Sequence, residues 1–120
     1  MNEPVNISDK FQLFNDHLSP KIIGELNGSY VKVFKAEGEF VWHSHQECDE
    51  FFLVIKGTIT IKLRNRDIHL KEGEFFIVPK GVEHMPIAKS EAHVLLFEPK
   101  QVLNTGDVDS DKTVVDLKWI

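Results

Sequence analysis

A chain of 120 residues with 14 Lys and Arg against 19 Asp and Glu carries a net charge of −5, the wrong sign for a partner held by its phosphate backbone, so nucleic acid is excluded as the expected ligand. The length suits one domain, and the longest apolar run, Phe51 to Ile55, falls far short of the roughly 20 residues that cross a bilayer as a helix. Cys48 is the sole cysteine, which leaves no intramolecular disulfide, and the N-terminus lacks the basic and apolar stretches of a secretion signal; a cytoplasmic protein that does not bind membranes is expected.

Taken in chain order, the first element is a short helix within Asn6 to Asn15, where Ile7, Phe11 and Phe14 recur at helical spacing behind Asn6 and Ser8. From about Gly24 to Pro99 the pattern changes to short strands separated by turns, and no window supports a long amphipathic helix. Asn27-Gly28 reads as a two-residue hairpin loop, because both central positions need positive φ. Further turns fall at Lys56-Gly57, Arg64 to Asp67, Glu72-Gly73 and Pro79-Lys80-Gly81. Thr58 to Arg64 alternates, with Ile59, Ile61 and Leu63 on one face, and predicts a half-buried strand. Phe51 to Ile55 and Phe75 to Val78 are apolar at every position, which predicts strands covered on both faces. Turns at this interval belong to an all-β sandwich or barrel. After Pro99 a polar stretch leads into a strand-like tail, Leu117 to Ile120, that must dock on the barrel or on a partner subunit.

The chemistry is concentrated in two short stretches. His43 and His45 lie two apart on an extended segment, so both imidazoles face one side about 6.6 Å apart along the chain. A four-residue connection brings Glu50 to the start of the next strand, and His84 follows a Pro-x-Gly turn. Three imidazoles and one carboxylate make a mixed nitrogen and oxygen set suited to Mn, Fe, Co, Ni, Cu or Zn, with two positions of a six-coordinate ion left for water or substrate. The absence of thiolates argues against a closed structural zinc site.

Gly38, His43, His45, Glu50 and Gly57, followed by Gly73, Pro79, Gly81 and His84, resemble the two motifs of the cupin superfamily. The one departure is Ala88, which stands where the second motif ends in Asn. The chain looks like the small single-domain cupins often labelled mannose-6-phosphate isomerase-like. The resemblance implies a double-stranded β-helix barrel of jelly-roll type, one cupin domain over 1–120 with its motif-bearing barrel at about 24–99, a divalent metal on His43, His45, Glu50 and His84, and a homodimer.

Parity counted from His43, Glu50 and His84 places Val41, Phe52, Val54 and Pro86 in the lumen as substrate-lining residues, together with Ile59 and Ile61. The expected pocket is apolar and carries no secure cation, acid or base besides the ligands. A phosphosugar needs a cation aimed at its phosphate, so the favoured reading is a metal-dependent enzyme of dioxygenase or isomerase type acting on a small organic molecule; the alternative is a non-catalytic module that binds a small metabolite or sugar. Phe51, Leu53 and Ile55 are apolar yet point away from the lumen, and Trp119 and Ile120 end the chain with apolar area that one small barrel can hardly cover, which together are the residue-level motive for a homodimer. His17, His69 and His93 fall outside the motifs and are expected to be solvent-facing or hydrogen-bonded. Cys48 reads as a small loop residue, and Ser44 points away from the flanking imidazoles. Asp107, Asp109 and Asp111 mimic the opening of a calcium loop, but Lys112 and Lys118 occupy the positions that need Gly and Glu, so a solvated acidic loop is expected.

Overall fold

The computed structural model of the protein describes residues 3–120. Helix α1 (Ile7–Phe11) starts at Asn6, whose Oδ1 accepts the Asp9 N–H at 2.9 Å and so supplies one of the partners a helix start lacks. Its Phe11 is buried. Strands β1 (Lys21–Leu26) and β2 (Ser29–Glu39) form the expected hairpin, with Asn27 and Gly28 both at positive φ, 50° and 79°.

Strand β7 (His84–Pro99) is the spine of the molecule. One edge pairs with β2 from Ser29↔Pro99 to Glu39↔Ile87. The other edge is shared: its first part pairs with β4 (Thr58–Leu63), and its later part pairs with β3 (Glu50–Lys56). Strand β5 (Asp67–Lys71) then pairs with β4, β6 (Phe75–Val78) with β3, and β8 (Lys118–Trp119) lies parallel to β1. The result is the expected all-β, jelly-roll-like architecture, but the sheet is not closed. Because β7 divides one edge between two strands, the pairing path branches there and ends at β5, β6 and β8.

Alternation along β2 sorts its side chains to two faces. Phe34 and Ala36 join Phe52, Val54, Ile59, Ile61, Leu70, Val78, Val94 and Leu96 in the inner core. Val33 and Leu95 join Phe11, Phe14 and Ile23 in a second core under α1. Phe51, Leu53, Ile55 and Ile120 pack against this second cluster, so the outward apolar face of β3 is partly covered by the chain's own ends. The expectation for Phe75 to Val78 needs correction. Phe75 and Ile77 are 58% and 46% exposed, because β6 lies at an edge of the sheet, paired with β3. Among the described residues no helix is long and apolar enough to cross a membrane.

Candidate metal centre

His43 and His45 sit on an extended segment outside the regular strands, and a bridge between His43 and His84 ties that segment to β7. The His43 N–H donates to the His84 carbonyl at 3.0 Å and the His84 N–H to the His43 carbonyl at 2.9 Å, so two ligand positions far apart in sequence are locked side by side. Glu50 opens β3 opposite Val78. Ring and carboxylate ligand atoms of His43, His45, Glu50 and His84 all lie within 4.8 Å of one another, and all four residues are buried.

The hydrogen bonds orient the ligands. Nδ1 of His43 lies 2.8 Å from the Val41 carbonyl and Nδ1 of His84 lies 2.9 Å from the Val82 carbonyl. A carbonyl only accepts, so each Nδ1 carries the proton and, in the neutral ring, each Nε2 presents a lone pair. Nε2 of His84 nevertheless lies 3.0 Å from Glu50 Oε1, and Nε2 of His45 lies 3.1 Å from the same oxygen. Lone pairs and a carboxylate brought this close require positive charge among them, as a proton or as a metal ion, and the donor set fits the latter. Burial alone would raise the Glu50 carboxyl, but the neighbouring His45 and His84 outweigh it and hold the group well below the usual range. Burial and then the neighbouring His84 push His43 down to about 4, which keeps that ring neutral for ligation at ordinary pH. For His45 the burial effect is overcome by Glu50, and the net shift is upward.

Beside these groups lies a small cleft with a cavity of about 20 Å³, lined by Leu18, Phe34, Phe40, His43, Glu50 and Phe52, with Pro86, Leu96 and Asn104. Phe52 and Pro86 are therefore on its wall. Val54 is buried deeper in the inner core. Val41 is not on the wall; Phe40 is there, while Val41 supplies the carbonyl that orients His43. Parity fails at this point because residues 40–42 have no regular strand geometry to carry it. His17, His69 and His93 lie elsewhere: His17 is bonded to Glu91, His69 to Thr60, and His93 is stacked on Phe11.

Two inner groups escaped the sequence reading. Lys32 and Glu98 form a fully enclosed pair, Nζ to Oε1 3.0 Å, with side chains 1% and 0% exposed. The expectation of a lumen without further charge is thus overturned. The signal was present, since Lys32 shares the parity of Phe34 and Ala36 on β2, and Glu98 that of Leu96 and Val94 on β7. Burial and the charge of Glu50 raise the Glu98 carboxyl above its ordinary value. Burial, with Glu98 and Glu50 adding to it, also pushes the Cys48 thiol up, which makes it a poor nucleophile.

The C-terminal segment closes over the motif loop. Asp107 accepts from the Ser44 N–H at 2.9 Å and from its hydroxyl at 3.2 Å, and Lys112 Nζ donates to the carbonyls of Glu39 and Phe40. Gly106 passes so near the Ser44 carbonyl that no Cβ fits there. The Asp107 carboxyl is held below its ordinary value, first by the Ser44 backbone bond. A carboxyl depressed on folding stabilises the fold above its unfolded pKa and loses that contribution as pH falls through the folded one. Asp107→Asn should accordingly lower the Tm near neutral pH, with the gap from the unaltered protein closing in strong acid. A gap of constant size across the titration would show that the bonds made by the charged form are not the source.

An open jelly-roll sheet with a buried cluster of three His and one Glu beside a small cleft defines a cupin-type metal-binding domain. The chain belongs to the Cupin_2 family, matching its cupin domain over residues 30–99. It is 49% identical to a cupin-2 domain containing protein from Shewanella frigidimarina, with 80% of this chain and 94% of that one aligned at a TM-score of 0.79. It is also similar to the 3-hydroxyanthranilate 3,4-dioxygenase of Xenopus tropicalis, 24% identical over 97% of this chain, and spans 46% of that enzyme's length. The fold is shared with hydroquinone 1,2-dioxygenase from Sphingomonas sp. TTNP3, at a TM-score of 0.68 and 20% identity over 79% of this chain and 72% of that one.

Proposed function

We propose that the protein is a metal-dependent dioxygenase acting on a small hydroxylated aromatic molecule. The carrying observation is the buried convergence of His43, His45, Glu50 and His84 beside a cleft walled by Phe34, Phe40, Phe52, Pro86 and Leu96. The dioxygenases among its relatives support the same direction. A divalent transition metal held by these four residues would supply Lewis-acid chemistry and, if iron, electron transfer with O2. The chain's own part is positional: Nδ1–H bonds to Val41 and Val82 fix two rings, Glu50 places one negative charge among the three imidazoles, and the aromatic wall keeps the approach to these groups apolar. Glu50, as a ligand, is not free to act as a general base. An isomerase acting on a phosphosugar fits less well, because the one inner cation, Lys32, is already paired with Glu98.

The test is O2 consumption by the iron-loaded chain over a panel of catechols, hydroquinones and aminophenols, with phosphosugars as the contrast. Turnover of aromatic members is the expected result. Ligand-induced thermal shifts with no turnover on any metal would replace this reading with a metabolite-binding module. The homodimer belongs to the same proposal, through the open face of β6 rather than β3: light scattering should show a dimer that Ile77→Glu converts to a monomer, and a monomeric unaltered chain at micromolar concentration would remove it.

A further inference from the structure

We propose that Lys32 and Glu98 form the polar end of the ligand site, with Glu98 Oε2 receiving a hydroxyl group of the small molecule whose other end faces the metal ligands. Among the described residues, Glu98 Oε2 is the one buried side-chain polar atom with no hydrogen-bond partner. Buried polar atoms are otherwise satisfied with few exceptions, so an orphan oxygen on a fully enclosed carboxylate marks a place where something else binds. Neither Lys32 nor Glu98 is on the cleft wall itself; both neighbour wall residues on the same face of the sheet. Leu96, on the cleft wall, faces Lys32 across β2 and Phe52 across β3. One register step further along β7, Tyr30 faces Glu98 from β2, and continuing the Phe51↔Phe97 register puts Glu50 on the other side. Glu98 therefore points to the inner face on the strand next to a metal ligand.

A purely structural role does not account for the pair. An enclosed Lys and Glu is no better for stability than apolar residues of similar volume, and a structural pair would satisfy both oxygens. Lys32 holds Oε1 and thereby fixes the carboxylate with Oε2 turned elsewhere. Because the ammonium is engaged, the site does not offer a free cation to a phosphate or sulfate. A hydroxyl is the matching group: it donates to an ionised carboxylate, which an ether oxygen cannot do.

The inference rests on the dioxygenase reading for the aromatic character of the ligand, and the experiment separates the two. The probes are catechol, resorcinol and hydroquinone, each against its monomethyl ether, titrated calorimetrically into the zinc-loaded full chain. At least one diol should bind about tenfold or more tightly than its ether, the scale of a hydrogen bond to a charged group. E98Q puts an amide NH2 where the acceptor was, and because hydroxyl and ether oxygens both accept from it, the preference should disappear. The K32M/E98L double variant, which leaves no unpaired buried charge, should abolish it, while elemental analysis shows unchanged metal content in both. The absence of any diol preference in the unaltered chain, or a preference that survives in both variants, overturns the assignment. Turnover is read separately with iron in air. Turnover without the diol preference removes Glu98 and keeps the dioxygenase; the preference without turnover does the reverse.

Discussion

His45→Ala is expected to reduce bound divalent metal from about one ion per chain to a small fraction, whereas His69→Ala leaves it unchanged. The contrast follows from placement. Nε2 of His45 lies 3.1 Å from Glu50 Oε1 inside the buried cluster, while His69 bonds Thr60 on the exposed side of the β4–β5 pair. Loss of one of four ligands also leaves Glu50 buried with fewer partners for its charge, which weakens what remains of the site. Stability provides a second readout. Metal at a hundred times its Kd adds about 2.7 kcal/mol to a chain that binds it only when folded, so saturating zinc should raise the Tm of the unaltered protein and of His69→Ala but not of His45→Ala. Equal metal occupancy in the two variants would remove the assignment of the cluster.

The Lys32 and Glu98 pair carries the second large effect. Glu98→Leu alone strands an ammonium in the inner core, and breaking a buried pair in this way costs about 3–5 kcal/mol, a loss of roughly 10–20 °C in Tm for a domain of this size. Lys32→Met should cost less, because the Glu98 carboxyl, already raised by burial and by Glu50, can take up a proton and become neutral. The double variant K32M/E98L should recover most or all of the loss, since apolar residues of similar volume replace such pairs at little or no cost. Thermal melts of the four proteins measure the coupling directly. If Glu98→Leu melts with the unaltered chain, the ammonium has an escape to solvent and the pair is not enclosed as described.

How far the sequence could be read depended on how local each signal was. The hairpin at Asn27-Gly28 and the turns at Gly57, Gly73 and Gly81 were legible because each depends on a few adjacent residues; all four glycines sit at positive φ. Strand β4 was legible from its alternation, and the four ligands from their spacing. Val41 was misplaced because parity was extended across residues 40–42, which bend into the motif loop. An all-apolar strand is usually covered on both faces, yet Phe75 and Ile77 are exposed, because nothing in four residues says that a strand will lie at an edge. Lys32 and Glu98 were passed over although their parity pointed inward. A charged residue is ordinarily assigned to solvent, and 66 residues separate the two partners.

The sequence by itself determined the strand-and-turn pattern, the helix start at Asn6 and the grouping of His43, His45, Glu50 and His84, since these follow from backbone conformational preferences and from donor chemistry carried by single residues and short spacings. Only the tertiary structure decided the rest. The split edge of β7 leaves the sheet open, and α1 with Ile120 covers the outward apolar face of β3. The loop around Asp107 closes on Ser44, and the β2–β7 register brings a lysine and a glutamate together next to Glu50. Each of these is a pairing between segments distant in the chain, and its energy comes from excluding water, forming hydrogen bonds or joining opposite charges. That energy exists only once both partners have been brought into contact.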